Sequence, residues 1–354
     1  MKSFFITLCI CLMLLLVASG AFAVQSLEAR LDEAQQLLTS DPKAGAQHIA
    51  DLELSKEQFN ESQSSRFALY KSHSLLMAGD YQQATTLLNN LLETNRNPDV
   101  KAQAYSMQAV IYASNSEFMN AFVNIEKARL MLNDLTDSRA IKTVLANAAT
   151  IYTEVGFVDK AYEYSNSYLK EVSKAGLEKE LCYAYFNSGS IEVQLQNYDK
   201  ARGYFFEASK NCKSSGQDLF YLLASQELAS INLSEKNGKE SLKKLELIQD
   251  RFQALDWDIG EVSGLIKIAD MYLKLKKNEE AVKYAERAFA AETTDDYLPH
   301  KKESTRILAT AYSNLGDNNK AIEYYQLYID TERQIQLQLK QRKMAYYLAM
   351  ESIE

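Results

Sequence analysis

The feature that most constrains this chain is a forty-residue period. Ala121, Ala161, Ala201, Ala281 and Ala321 fall on one grid, and Ser241 fills the vacant slot. Nine residues before each lies a second grid, Tyr112, Tyr152, Glu192, Asn232, Tyr272 and Tyr312. Three residues earlier still a small residue recurs at Ala109, Ala149, Gly189, Ala229, Ala269 and Ala309. A fixed period of this length is the mark of a repeat array, in which each unit hides its apolar face against the next. Within a unit, apolar residues return at steps of three and four, so the elements are helices. With 3 Pro and 12 Gly in 354 residues, the chain lacks the punctuation that a many-stranded sandwich needs.

Each unit reads as two amphipathic helices, for example Tyr183 to Gln194 and then Asp199 to Asn211. The turn between them holds Gly79-Asp80-Tyr81, Ser116-Glu117-Phe118, Gly156-Phe157-Val158, Gln196-Asn197-Tyr198 and Gly316-Asp317-Asn318. Gly or a small polar residue there accepts the left-handed geometry that ends a helix. Gly176 and Gly216 are expected to end second helices for the same reason. Short connections make the paired helices antiparallel neighbours. Ala201 and Tyr198 are both expected to face inward.

The order small residue, Tyr, Gly-Asp-Tyr turn, Ala, aromatic, Ala resembles the tetratricopeptide repeat. The copies that carry it include Tyr105, Ala109, Tyr112, Phe118, Ala121 and Ala128, and then Tyr185, Gly189, Tyr198, Ala201, Phe205 and Ala208. The spacing of forty, where the family has thirty-four, implies longer helices. The resemblance implies an all-α, right-handed superhelical solenoid of about seven helical hairpins over residues 66–330. A degenerate helical pair over 24–65 precedes it, and a long C-terminal helix over 331–354 ends it. By resemblance, the concave groove lined by the first helices binds an extended peptide or protein segment. The residues expected there are Asn147, Asn187, Phe186, Gln226, Glu227, Lys267 and Arg306. The asparagines suit a peptide backbone, and Lys267 with Arg306 suits a carboxylate. The bland alternative is a solvated helix face.

Cys182 opens the first helix of its unit and Cys212 closes the second, so an antiparallel hairpin makes them neighbours. A disulfide there is one expectation; two small buried thiols is the other. No nucleophile elbow, phosphate loop, dinucleotide fingerprint or metal-ligand spacing occurs, so no catalysis and no cofactor is expected. His48, His73 and His300 have no ligand-spaced partners. Asn232 matches a glycosylation pattern but occupies a core slot, and Trp257 is expected to pack between units. A net charge of −8 argues against nucleic acid as partner.

Residues 1–23 have a positive start at Lys2, an apolar run from Phe4 to Val17 and the triplet Ala21-Phe22-Ala23, the parts of a secretory signal. The expectation is export to the periplasm with cleavage after Ala23; the alternative is an uncleaved inner-membrane anchor. At the other end, Ile335, Leu339, Tyr346, Ala349 and Ile353 follow a three-four alternation interrupted by Arg342, a weak coiled-coil seam that suggests a dimer. Signal, array and long helix together look like the periplasmic sensory region of bacterial signalling proteins of diguanylate cyclase or histidine kinase type. The expected role is a non-catalytic scaffold for a protein or peptide. The alternative is the input half of a signalling enzyme whose transmembrane and output parts are absent.

Overall fold

A computed structural model describes residues 26–231, 238–254, 258–291 and 298–353. The export-signal reading, Asn232 and Trp257 lie outside the described residues. Among the described residues there are sixteen α-helices and no strand. They are α1 (Leu27–Ser40), α2 (Pro42–Glu53), α3 (Glu61–Met77), α4 (Tyr81–Thr94), α5 (Pro98–Ser114), α6 (Phe118–Leu130), α7 (Ser138–Glu154) and α8 (Val158–Ala175). Then come α9 (Glu178–Gln194), α10 (Tyr198–Ser214), α11 (Asp218–Ile231), α12 (Gly238–Ala254), α13 (Asp258–Lys274), α14 (Asn278–Ala291), α15 (Leu298–Leu315) and α16 (Asn318–Ile353). The chain divides into two compact units, one up to Leu91 and one from Leu92 to Glu354.

In the first unit, α1 and α2 close around Leu31, Ala34, Leu38, Ile49 and Leu52, with Phe67 of α3 against them. Arg66 of α3 ties back to α1 through Glu28 and Asp32. In the second unit, α5 and α6 form the first hairpin and α15 and α16 the last.

The turn inside each hairpin repeats at the backbone level. Ser116, Gly156, Gln196, Lys276 and Gly316 all have positive φ, between 58° and 82°, at intervals that are multiples of forty. In each, the following N–H reaches the carbonyl five residues back: Glu117 to Tyr112, Phe157 to Tyr152, Asn197 to Glu192, Lys277 to Tyr272 and Asp317 to Tyr312. That bond satisfies a carbonyl the ending helix leaves open.

The Tyr grid stitches neighbouring hairpins together. Tyr152 donates its hydroxyl to Glu126, Tyr272 to Glu246 at 3.0 Å and Tyr312 to Glu286 at 2.6 Å, each reaching the carboxylate 26 residues earlier. The same rings stack on Tyr164, Tyr284 and Tyr324. Burial first, then the Glu246 carboxylate, pushes the Tyr272 phenol up to about 12, so it stays a donor at neutral pH. Glu192 occupies this slot in one unit; it is buried and accepts from the Asn197 amide.

Ala201 is fully buried, but Tyr198 is 52% exposed, against expectation. Tyr198 is the first residue of α10, and the aromatic that fills the notch beside Gly189 is Phe205. Cys182 and Cys212 are bonded to each other across this hairpin, with Cα atoms 4.7 Å apart. The other two of the 4 cysteines, Cys9 and Cys11, belong to the apolar run of residues 1–23; in a chain carrying Cys9→Ser and Cys11→Ser, a thiol reagent is expected to find no free thiol before reduction and two after it. Two free thiols before reduction would mean a reduced pair.

The seam on α16 also differs from expectation. Its apolar residues pack on this chain's own second unit, not outward for a coiled-coil dimer: Tyr346 and Ala349 join the core cluster of α6, α7 and α8.

Candidate partner-binding face

The first helices of the second unit are α5, α7, α9, α11, α13 and α15. A chain of contacts, each spanning about one repeat, runs from one to the next. Asn147 of α7 donates its amide to Ser106 Oγ of α5 at 2.8 Å. Lys142 of α7 reaches Glu180 of α9 at 2.6 Å. Tyr183 of α9 meets Phe220 of α11 edge-on at 4.5 Å, and Phe186 lies 5.4 Å from the same ring. Ser263 of α13 donates to Gln226 Oε1 of α11 at 3.2 Å, and Lys267 to Glu227 at 3.0 Å. Arg306 of α15 donates to Asp270 of α13 at 2.7 Å.

The seven residues expected from sequence therefore fall on this face, but not as a set of free groups. Lys267 is neutralised by Glu227. Arg306 is held by Asp270 and by Glu303, 2.8 Å from its Nε. Burial works to raise the Asp270 carboxyl, yet the hydrogen bonds from Lys274 and Arg306 outweigh it and hold the group below the usual carboxylate range. Arg306 is raised, its two carboxylate partners overcoming its burial. His300 is pushed down by burial and then by the Lys267 charge, so it is neutral at pH 7. Gln226 is almost fully buried, and its Nε2 has no hydrogen-bond partner among the described residues. Beside it, Gly264 leaves the room that the Gln249 amide fills: an added Cβ would lie 2.1 Å from Gln249 Oε1.

Asn187 differs from the rest. It is half-buried on α9, and its amide makes no hydrogen bond among the described residues. Forty-residue steps from Asn187 lead through Glu227 and Lys267 to Ile307, which is fully buried, so the register turns into the core by α15.

Sequence reasoning missed Ser106, Lys142, Glu180, Phe220, Ser263 and Asp270. Each is complementary in type to a residue 34 to 41 positions away, a signal that pairing the grids one unit apart would have shown. Among the described residues no group of three or more His, Cys, Asp or Glu is placed to hold a metal ion.

Residues 266–334 match the tetratricopeptide repeat family model. No curated protein matches the chain. Among solved structures, a Rap protein complexed with competence and sporulation factor is similar at a TM-score of 0.62 and 14% identity, over 88% of this chain and 99% of that one. NprR in complex with its cognate peptide NprX gives 0.59 and 13%, over 94% and 99%. A signal transduction ATPase with a tetratricopeptide repeat sensor from Pyrococcus horikoshii gives 0.62 and 17%; there the match spans 88% of this chain and 48% of that one.

These comparisons correct the expected location. The similar folds are a Rap protein, NprR and a signal transduction ATPase, none of them described as an exported or membrane-anchored protein, and among the described residues no helix is long and apolar enough to cross a membrane. The periplasmic placement, the inner-membrane anchor and the likeness to periplasmic enzyme-input regions are withdrawn with it. What the repeat grid, the hairpin geometry and the matched segment establish together is that this chain is an all-α helical solenoid of the tetratricopeptide-repeat type.

Proposed function

We propose that the chain is a non-catalytic scaffold that binds a protein or extended peptide along the first-helix face of its second unit. The observation that carries this reading is the Asn187 amide, half-buried and without a hydrogen bond among the described residues, in the middle of a face where Lys142, Asn147, Lys267 and Arg306 are all paired. A side-chain amide offers one acceptor and two donors, which suits a peptide backbone. The aromatic rings of Phe186, Tyr183 and Phe220 beside it supply apolar contact. The similar folds of Rap, solved with competence and sporulation factor, and of NprR, solved with its cognate peptide NprX, support this class of ligand. At the far end of the face, an acidic peptide end reaches Lys267 and Arg306 only by competing with Glu227, Asp270 and Glu303.

The test is capture of peptides from a displayed random library by the full chain. Asn187→Ala is expected to weaken a selected peptide by about tenfold, the equivalent of about 1.4 kcal/mol. The melting curve should not move, because no fold contact is lost. Unchanged capture would remove Asn187 from the site. Charge reversal at Lys267 and Arg306 is a poorer probe: the new carboxylates would face Glu227, Asp270 and Glu303, and melting would fall with binding.

A further inference from the structure

Helix α16 is the second helix of the last hairpin, but it continues far beyond that hairpin to Ile353. Past Thr331, the residues Ile335, Leu339, Arg342, Tyr346, Ala349 and Ile353 follow steps of four and three and share one side of the helix. Every one of them is buried or half-buried, while Leu337, Met344, Tyr347 and Leu348 on other faces are exposed.

What they pack against is distant in sequence. Tyr346 lies 5.2 Å from the Phe122 ring, 4.6 Å from Phe157 and 6.1 Å from Tyr152. Its hydroxyl accepts from Lys160 at 2.6 Å. A Cβ at Gly156 would be 3.5 Å from Leu339. Arg342, which breaks the apolar seam, donates to the carbonyl of Glu154 at 2.8 Å, and its guanidinium lies 4.7 Å from the centre of the Phe118 ring. Glu154 is the last residue of α7, so the cation meets a helix C-terminus whose carbonyls lack partners. A charged residue that costs stability in a coiled-coil seam is thus matched to this surface. Nothing in hairpin-on-hairpin stacking requires the contact, because three whole hairpins (α9 to α14) intervene in sequence.

We propose that the turn ends of α5–α6 and α7–α8, with Phe118, Phe122, Tyr152, Phe157 and Lys160, form a helix-binding site whose resident ligand is residues 335–353 of the same chain. The site reads a Leu, Arg and Tyr at positions 339, 342 and 346. It is separate from the first-helix face, and its failure would leave that reading untouched. The terminal helix acts as a clasp, and another helix gains the site only by displacing it.

The test uses the full chain and a labelled peptide of residues 332–353, followed by fluorescence anisotropy. Leu339→Ala with Tyr346→Ala loosens the resident helix. That variant is expected to bind the peptide at least tenfold more tightly than the unchanged chain does, and Phe157→Ala added to it should remove the gain. Hydrogen exchange gives a second readout: the amides of 339–350 should be protected in the unchanged chain and fast in the variant, with those of 318–331 protected in both. Arg342→Ala, a milder change, should show a smaller shift in the same direction. Equal peptide binding by both chains, or none by either, would overturn the site. A concentration-dependent dimer with protected 339–350 amides would place a second copy's helix there and overturn the assignment to the same chain.

Discussion

Phe205→Ala is expected to destabilise its hairpin by about 3–5 kcal/mol, the range for removing a large aromatic side chain from a core. Phe205 is fully buried and fills the space over Gly189, where an added Cβ would lie 2.8 Å from the ring. The two positions are therefore two halves of one fit. Gly189→Val alone should cost about 1–3 kcal/mol through overpacking. Gly189→Val with Phe205→Leu should cost less than the sum of the separate changes, because the smaller side chain makes room for the larger one. Additive costs would show that the notch does not couple the helices. Because a repeat array opens locally, hydrogen exchange in α9 and α10 reports this more directly than a single melting temperature.

That notch was readable in the sequence, and the reason is physical. Repeats impose one geometry many times, so the residues that set helix approach return at a fixed interval: Ala109, Ala149, Gly189, Ala229, Ala269 and Ala309. The turn slot was readable too, although Ser116, Gln196 and Lys276 hold the positive φ that glycine holds elsewhere. The partner-binding face was readable only as a list of positions. Lys267 and Arg306 looked available because the acids that neutralise them lie a whole repeat away, and a single helix does not show what faces it. The clasp was hidden for a stronger reason. No periodic signal connects residue 342 with residue 154, and the helix taken alone shows Arg342 only as a break in an apolar seam, because Phe118 and the end of α7 that meet it lie far away in sequence. Tyr198 differs in the opposite direction: it holds a position that recurs in the turn slot, yet as the first residue of α10 it is 52% exposed.

The connection from α6 to α7 rests on one carboxylate. Asp99, buried at the start of α5, accepts from the Thr136 N–H at 2.9 Å, the Asp137 N–H at 3.0 Å and the Thr136 hydroxyl at 2.9 Å. Burial works to raise this carboxyl, but the three donors together hold it below its ordinary value. Asp99→Ala leaves those donors without their acceptor in a half-buried loop and is expected to cost about 2–4 kcal/mol, since hydrogen bonds to charged groups are each worth about 1.5–3 kcal/mol. Asp99→Asn keeps the shape but puts an NH₂ where one donor must be met, so its cost should fall between wild type and Asp99→Ala. The linkage has a definite sign. A carboxylate whose folded pKa is depressed adds stability above its unfolded pKa, about 3.9, and loses it as pH falls through the folded value. Between neutral pH and about 5, the difference in stability between the unchanged chain and Asp99→Asn should therefore stay constant, and it should shrink below pH 4. A difference that does not change down to pH 2 would mean that the charge on Asp99 contributes nothing. The consequence reaches the binding face, because Asp99 sets the height of α7 against α5. If the loop slips, the Ser106–Asn147 bond at the head of the polar chain is the first contact to part. Asp99→Ala should then expose the α7 amides to exchange before those of α13 and α15.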